Sequence, residues 1–390
     1  MVHMCDTLTD IILVKSDPIE NQSSIRAMQI IKSLSKKYSI IALGWNRQSK
    51  PLESAKEGSN LQMFNLNAPY GYERYGVLRL IAYFPIFWLW IFIKLCVYRP
   101  KIIHACDLAT ILPCYIYKVL FRKRLVFDIL DRYGMTYIPQ NSNIFVRTLY
   151  SIVNSVEEMF AKNSDVLITV SDKMLLSFRK RPRNCVTIMN CPEEHLIIPL
   201  KLETNPHSFK ILYTGAIRKG RGLEAICEIM HGIKNVQLLI TGKIKDMNLQ
   251  TKISNIENIK YHGFLDRNKL LDLEANSDAM IALYDLKLQS QYEYGMANKI
   301  LEAMMCGLPV ITNISHELIN DTKCGIIVEY DNIEQIKESI VTLRDNPDLR
   351  KFYGTNGRKA FLEKYNWTTM EEKLFRTYEV LLYDKIDSKK

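Results

Sequence analysis

The sequence predicts an α/β protein made of two doubly wound, Rossmann-like parallel sheets. Short apolar segments alternate with amphipathic segments over most of the 390 residues, and this alternation is typical of parallel strands connected by helices. The alternation stops once and then restarts. Because a single core rarely grows beyond about 250–300 residues, we expect two domains, each with its own sheet.

The predicted first domain covers residues 1–197. Apolar residues 11–15 lead into Ser16, Asp17 and Pro18, which favour a turn, and residues 24–36 carry apolar side chains at helical spacing. The pattern of strand and helix then recurs. The further strands predicted in this domain are 38–43, 101–104, 125–127 and 166–170.

Residues 198–209 contain two prolines and little periodicity, so they are the predicted linker. The second domain is predicted at 210–367, and an amphipathic stretch at 368–385 is expected to form a helix that packs back on the first domain. Two such domains should face each other across a cleft, with ligands bound beyond the carboxyl ends of the strands. The strands predicted in the second domain are 210–213, 236–241, 259–261, 279–283, 309–312 and 325–328.

Charge and cysteine content limit the possible partners and compartments. The net charge of +10 favours an anionic partner, which could be a nucleotide, an anionic membrane surface or nucleic acid. No base-reading motif is present, so nucleic acid is the weakest of these. The nine cysteines form no C-x-x-C pair, which indicates reduced thiols, no zinc site and a cytoplasmic location. The first ten residues lack the features of a signal peptide.

The segment at 77–98 is apolar and rich in Phe and Trp, but Arg79, Pro85 and Lys94 interrupt it. It is compatible with a buried core helix, with a helix lying in a membrane interface, or with a membrane span. Basic clusters at 122–124 and 179–183 would support docking to anionic lipid.

The first chemical motif is the turn at 213–222, which contains three glycines and three cations between a strand and a helix. Glycines allow backbone N–H groups to approach a phosphate, and arginine, lysine and a helix N-terminus neutralise it. The turn is neither a Walker loop nor a strict G-x-G-x-x-G. Taken alone, it is also compatible with a basic surface turn.

The second motif is the stretch at 292–310, in which residues 298–306 have the pattern of a helix ended by Gly307. Glu302 lies on this helix, one turn after Asn298 and Lys299. Since a carboxylate accepts hydrogen bonds from two neighbouring hydroxyls, Glu302 suits a ribose. The alternative is a solvated Glu–Lys helix face.

Residues 298–310 resemble the signature of the retaining glycosyltransferase family 4, whose members have the GT-B fold. Residues 261–265 and 275–279 are also similar to that family, so that the resemblance covers 210–382. It is looser in the first half. There it depends on Arg26, on residues 102–107 and on the turn at 190–192.

The resemblance implies a nucleotide-diphosphate sugar as donor substrate, with no metal and no further cofactor. Glu302 would bind the ribose of the donor, while Gly215 and Arg221 would hold its pyrophosphate. Arg221 would also stabilise the departing diphosphate, and either Arg218 or Lys219 would supply a second cation. Asn298 and Lys299 match a variant of the motif that this family also contains.

The chain departs from the family in three places. The first acid of the usual E-x7-E motif, which the resemblance implies contacts a hydroxyl of the donor sugar, is replaced by Tyr294. Glu293, one position away, is the candidate to take its place, and otherwise this contact is missing or supplied differently. A histidine expected near the reacting sugar is replaced by Leu130, which leaves Asp131 and Asp128 as the candidate catalytic residues. The loop at 16–24 lacks glycine.

The sequence therefore predicts a retaining, metal-independent glycosyltransferase that acts on a glycan or lipid-linked acceptor in polysaccharide biosynthesis. It is expected to be cytoplasmic and peripheral on the inner face of the membrane. Two alternatives remain at this stage. One is a nucleotide-sugar epimerase with the same two-domain architecture, and the other is an inactive partner protein that kept the fold.

Overall fold

A computed structural model describes residues 9–19, 25–47, 51–67, 72–136, 143–193, 209–288, 290–295 and 297–383. The chain divides into two compact units. Unit 1 comprises residues 1–188 together with 371–390, and unit 2 comprises residues 189–370. The predicted linker falls outside the described residues except for Phe209, which begins a strand.

Unit 1 is built on an eight-stranded sheet with the order β3-β4-β2-β1-β5-β6-β7-β8. All neighbouring strands are parallel except β3, which pairs antiparallel with β4 at one edge. Strand β1 is entirely buried, as expected for a parallel sheet covered on both faces. The strands are β1 (Ile11–Val14), β2 (Ile40–Asn46), β3 (Ala55–Glu57), β4 (Leu61–Asn67), β5 (Ile102–Cys106), β6 (Arg124–Ile129), β7 (Val166–Thr169) and β8 (Asn184–Thr187).

The helices of unit 1 connect these strands. They are α1 (Ile25–Ser35), α2 (Tyr72–Tyr98), α3 (Leu108–Phe121), α4 (Tyr133–Thr136), α5 (Ile144–Asn163) and α6 (Asp172–Ser177). Two begin with side-chain caps: Asn143 accepts from the N–H of Val146, and Ser171 accepts from the N–H of Met174.

The ambiguous segment at 77–98 forms most of α2, and its two faces differ. Phe87, Ile91 and Leu95 are completely buried, whereas Leu89 and Val97 are 62% and 58% exposed. Phe87 stacks on the buried Trp45 of β2, with ring centroids 4.8 Å apart. Within the described part of the chain, no helix is both long enough and apolar enough to span a membrane. One face of α2 is therefore part of the core, and the other is an exposed apolar surface.

A buried polar network lies in the interior of unit 1, near the carboxyl end of β6. The Arg26 guanidinium donates to both carboxylate oxygens of Asp128, at 2.7 and 3.2 Å, and to the carbonyl of Ile188 at 2.6 Å. His104 Nε2 lies 3.2 Å from Asp128 Oδ2, and its Nδ1 lies 2.6 Å from the hydroxyl of Tyr378. Arg26 and His104 hold the pKa of Asp128 well below its usual range despite burial.

Unit 2 contains a six-stranded sheet with the order β11-β10-β9-β12-β13-β14, and all neighbouring strands are parallel. Its core combines the apolar residues of β9 and β10 with the inner faces of α7 and α13. The strands are β9 (Phe209–Thr214), β10 (Val236–Thr241), β11 (Ile259–Tyr261), β12 (Ala279–Ala282), β13 (Val310–Thr312) and β14 (Gly325–Ile327).

The helices of unit 2 alternate with these strands, and a final helix ends the described chain. They are α7 (Leu223–Gly232), α8 (Met247–Ser254), α9 (Arg267–Ala275), α10 (Gln291–Tyr294), α11 (Asn298–Cys306), α12 (His316–Thr322), α13 (Ile333–Asp345) and α14 (Pro347–Glu363). The last helix, α15 (Trp367–Tyr383), begins in unit 2, and from Glu371 onward it belongs to unit 1. Within unit 1, α15 is held by pairs from Lys36 to Glu371 and from Lys37 to Glu379.

The predicted fold class, two doubly wound α/β units, is confirmed. Each strand predicted within the described residues forms within one to three residues of its expected limits. The sequence analysis missed β3, β4 and β8. These strands are short or carry polar residues among the apolar ones, so their hydrophobic pattern is weak.

We expect replacement of Arg26 by Met to lower the free energy of unfolding by about 3–5 kcal/mol, because it leaves the Asp128 carboxylate buried without its main counter-charge. Chemical denaturation of the full chain measures this loss. The control is Lys37→Ala, which breaks a pair whose side chains are both 46% exposed and should cost less than about 1 kcal/mol. Equal losses in the two variants would contradict a supporting role for the buried network.

Candidate functional site

The central strand β9 of unit 2 marks the point where the order of the sheet reverses. The chain passes from β9 to β10 on one side, and it later enters β12 on the other side. In open α/β sheets, ligands bind beyond the carboxyl ends of the strands at such a point. The turn that leaves β9 contains Gly215, and the end of β12 is followed by Tyr284.

Gly215 and Lys299 approach each other at this position. Gly215 has φ of +120°, which side-chain-bearing residues rarely adopt, and a Cβ placed on it would lie 3.4 Å from Lys299 Nζ. Lys299 is the second residue of α11 and is 8% exposed. Its ammonium lies over the ring of Tyr213, 4.5 Å from the centroid. Thus a buried cation and a helix N-terminus meet at the glycine turn.

The ammonium of Lys299 is poorly compensated. Among the residues that the structure describes, no carboxylate forms an ion pair with it. Burial and the nearby Arg221 lower the pKa of Lys299 to about 7, and Glu302 only partly offsets this effect. An anion bound at the turn would therefore favour the protonated amine.

Arg221 lies in the same turn between two tyrosines. Its guanidinium is 4.9 Å from the ring centroid of Tyr284 and 5.0 Å from that of Tyr292. Its Nε is buried and has no hydrogen-bond partner within the described ranges. The next residue, Gly222, has φ of +73° and packs so closely on Leu283 that a Cβ would lie 2.5 Å from the Cβ of that leucine. Arg221 therefore presents an unsatisfied donor group close to Lys299.

Glu302 lies one turn after Lys299 on α11, and its carboxylate forms an ion pair with Arg267. Oε1 accepts from Arg267 Nη1 at 2.6 Å, and the two side chains are 19% and 35% exposed. Arg267 was not predicted as a site residue, because it lies at the start of α9, just outside the family motif at 261–265. Its position two residues after that motif is the only sign of its role that the sequence offers.

Glu274 is a second carboxylate beside this pair. It is fully buried on α9, and burial together with the charge of Glu302 raises the pKa of Glu274 to about 8. At neutral pH it is mainly protonated.

The remaining predicted residues of unit 2 are more exposed. Arg218 is half-buried, whereas Lys219, Glu293 and Asn298 are exposed. Glu293 lies on the short helix α10. The ring of Tyr292 on this helix contacts the ring of Tyr284, which follows β12; the two rings are tilted by 36° and their centroids are 4.0 Å apart. The structure thus brings Gly215, Arg221 and Lys299 together and places Glu302 one turn further along α11.

The two candidate catalytic aspartates of unit 1 lie in different environments. Asp128 is 1% exposed, and both its oxygens are paired with Arg26 and His104, which favours a structural role. Asp131 is half-buried in the loop after β6, so it remains the candidate for a substrate contact.

Asp107 is a further candidate that the sequence analysis did not select. It follows β5 with φ of +64° and ψ of 169°, a conformation that glycine normally takes, and such strain is concentrated at functional sites. Burial raises the pKa of Asp107 to about 7, with a partial offset from the nearby Lys15. Its Oδ1 accepts from the N–H of Leu130 at 3.1 Å.

One cluster in unit 1 has its ligand atoms close enough together for a metal site, but the state of these groups does not suit a metal ion. Ligand atoms of His104, Cys106 and Asp128 lie within 4.8 Å of one another. However, the guanidinium of Arg26 occupies Asp128, and burial raises the pKa of the Cys106 thiol well above its usual value. A thiol ligand must lose its proton, so this cluster does not favour a cation.

Residues 208–346 match the sequence profile of a family described as "Glycosyl transferases group 1". This range contains every predicted donor-side residue. Unit 2 therefore contains the region that matches this glycosyltransferase family. The predicted resemblance is confirmed over these residues.

The solved structures extend the likeness of fold to both units. Sucrose-phosphate synthase from Thermosynechococcus elongatus superposes with a TM-score of 0.78 over 97% of this chain and 100% of its own, at 15% identity. Anabaena HepE, solved with UDP and glucose, has a TM-score of 0.67 at 14% identity over 95% of this chain and 99% of its own. The GT-B fold class is thereby confirmed.

Several curated relatives are named as glycosyltransferases. An uncharacterized glycosyltransferase of Methanocaldococcus jannaschii is 21% identical over 288 residues, which cover 68% of this chain and 70% of that protein. The capsular polysaccharide biosynthesis glycosyltransferase CapM of Staphylococcus aureus is 28% identical over 47% of this chain. The alignment spans half the length of CapM.

Proposed function

We propose that this glycosyltransferase moves a sugar from a nucleotide-diphosphate donor to a glycan or lipid-linked acceptor, with retention of anomeric configuration. The observation that carries the proposal is the poorly compensated Lys299 ammonium against Gly215, beside the unsatisfied Nε of Arg221. Together they form a preorganised site for a pyrophosphate at the switch point of a parallel sheet. Anabaena HepE, which shares the fold, was solved with UDP and glucose.

In the proposed reaction, the bond between the anomeric carbon and the donor phosphate oxygen breaks. A bond to the acceptor oxygen forms on the same face of the sugar, and the acceptor proton passes to the departing phosphate. The charge that develops on the nucleoside diphosphate is met by Arg221, Lys299 and the N-terminus of α11, with Arg218 and Lys219 as additional cations. These groups supply the positive charge that other glycosyltransferases obtain from a metal.

Glu302 is proposed to accept hydrogen bonds from the two ribose hydroxyls of the donor. Arg267 holds its carboxylate in place when the ribose is absent. Because one oxygen already accepts from Arg267, the other oxygen and the remaining lone pairs are available to the ribose.

On the acceptor side, Asp131 and Asp107 are proposed to contact the acceptor hydroxyl. Both lie in loops at the carboxyl edge of the unit 1 sheet. With a pKa near 7, Asp107 could hold or release a proton at neutral pH.

A thermal-shift panel of UDP-, GDP- and ADP-sugars tests donor binding. We expect one nucleotide to stabilise the wild type, and Glu302→Ala to weaken its binding by about tenfold or more, because hydrogen bonds to a charged group contribute about 1.5–3 kcal/mol. Glu293→Ala is the matched control, since it removes an exposed acid that is proposed to contact only the sugar. It should bind the free nucleoside diphosphate as the wild type does.

Two outcomes would overturn this assignment. If Glu302→Ala binds as tightly as the wild type, Glu302 does not hold the ribose. If the wild type converts the nucleotide sugar to an epimer without an acceptor, the protein is an epimerase instead.

Binding of a nucleoside diphosphate should be accompanied by proton uptake. In the free protein Lys299 loses its proton as the pH rises through about 7, whereas a bound pyrophosphate raises its pKa. Affinity should therefore fall as the pH increases from 7 to 9, a range in which the terminal phosphate, with a pKa of about 6, is already ionised.

Calorimetry at pH 8 in two buffers of different ionisation enthalpy measures the number of protons taken up. Lys299→Met should abolish the uptake and flatten the pH dependence, whereas Lys219→Met, which changes an exposed lysine of the same turn, should keep both. Uptake that persists in Lys299→Met would assign the proton to another group.

Peripheral binding to an anionic membrane is also part of the proposal. The exposed face of α2 carries Ile86, Leu89, Ile93 and Val97, each more than half exposed. Exposed apolar residues continue at the C-terminal end of α3, where Phe121 is followed by Arg122. Apolar side chains with cations beside them suit an anionic lipid interface.

Co-sedimentation with vesicles tests this surface. The wild type should bind vesicles of equimolar phosphatidylcholine and phosphatidylglycerol, and Leu89→Glu should reduce the bound fraction severalfold because it places a charge in the interface. Met247→Glu changes a residue of unit 2 that is 70% exposed and serves as the control. Equal binding by all three proteins would exclude the α2 face.

A further inference from the structure

Unit 1 contains a large apolar groove of about 1080 Å³ bordered by α2, α3 and α5. Phe84 and Trp88 of α2 and Leu112 of α3 line it, together with Val153, Val156 and Phe160 of α5. The volume is at the upper end of the range for small-molecule sites, and the lining is mostly hydrophobic.

The walls of the groove are fixed by contacts within unit 1. Trp88 Nε1 donates to the carbonyl oxygen of Ala109 at 2.8 Å, which joins α2 to the first turn of α3. Phe84 packs edge-on against the buried Trp45, with centroids 5.3 Å apart. The groove is therefore preformed and needs no rearrangement of α2 or α3.

One end of the groove is polar and lies at the carboxyl edge of the sheet. Asp17 and Arg47 line this end and form an ion pair. Lys15 Nζ is 3.6 Å from the same Asp17 carboxylate, so two cations share one carboxylate. Leu108, which also lines the groove, directly follows Asp107. The polar end thus contains two cations beside the Asp17 carboxylate, and it adjoins Asp107, an aspartate proposed to contact the acceptor.

The other part of the groove continues into an exposed apolar surface of α5. Leu149 lines the groove and is 51% exposed, and Ile144 and Phe145 on the same helix are 80% and 75% exposed. From Leu149 to Phe160 the groove follows α5 for about 16 Å at 1.5 Å per residue. An apolar chain could enter along this surface without crossing a polar barrier.

We propose that this groove binds the apolar chain of a lipid-linked acceptor and that its polar end receives the phosphate-bearing head group. The inference depends on the proposed function and names the acceptor class for it. Three features select this occupant: the apolar lining along α5, the two cations that share one carboxylate at the polar end, and the position of that end beside Asp107. An apolar segment of a protein partner would use the lining but would offer no anion to these two cations.

The test uses farnesyl monophosphate, a soluble lipid phosphate, and measures its binding to the full chain by calorimetry below its critical micelle concentration. Val153→Trp should fill the groove and weaken binding at least tenfold. Ile152→Trp is the matched control. It adds the same side chain to the neighbouring position of α5, which is 55% exposed and does not line the groove, and it should bind as the wild type does.

Two further ligands show which part of farnesyl monophosphate the groove recognises. Farnesol should bind more weakly than farnesyl monophosphate if the charged end contributes, and inorganic phosphate alone should not compete. Equal affinity of the wild type and Val153→Trp, or no binding by a folded wild type, would overturn the proposal.

The panel of nucleotide sugars distinguishes failure of the lipid-binding proposal from failure of the proposed function. A chain that binds a nucleotide sugar through Glu302 but does not bind farnesyl monophosphate would remain a glycosyltransferase with an acceptor held elsewhere. A chain that binds farnesyl monophosphate in the groove but no nucleotide sugar would keep the lipid site and lose the proposed reaction.

Discussion

In unit 1 the carboxylate of Asp128 is buried at the end of β6, and it remains charged there because Arg26 and His104 occupy both of its oxygens. Burying a charge costs several kcal/mol unless a partner compensates it. The partners come from α1 and β5, and Tyr378 of α15 completes the network through His104. Elements far apart in the sequence are therefore held together by the requirement to compensate one carboxylate.

Unit 2 has the opposite arrangement at the corresponding edge of its sheet. Lys299 is buried without a carboxylate partner in the described structure, and Arg221 lies close enough to lower its pKa further. Two cations near each other in a partly desolvated site destabilise the free protein, and an anionic ligand would remove this cost. This contrast is the reason for assigning the buried charge of unit 1 to the fold and for proposing that the buried charge of unit 2 binds an anion.

The periodicity of the sequence was sufficient to predict most strands of the two sheets and the position of the glycine turn after β9, because parallel strands and helices impose different spacings on apolar residues. It could not predict that Arg267 would pair with Glu302 or that Glu274 would be buried beside them. These contacts depend on how α9 packs against α11. For the same reason Asp128 and Asp131 looked equivalent in the sequence, although one is paired in the core and the other lies in the loop that follows.

The segment at 77–98 shows why hydrophobicity alone could not decide its role. Both faces of α2 are apolar, so the pattern does not distinguish the buried Phe87, Ile91 and Leu95 from the exposed Leu89 and Ile93. A helix whose outer face only met water would gain nothing from these exposed side chains, since apolar area left in water provides no stabilisation. The same excess of apolar surface continues on α5 beside the groove. The lipid environment proposed for this side of unit 1 would account for both features with one physical cause.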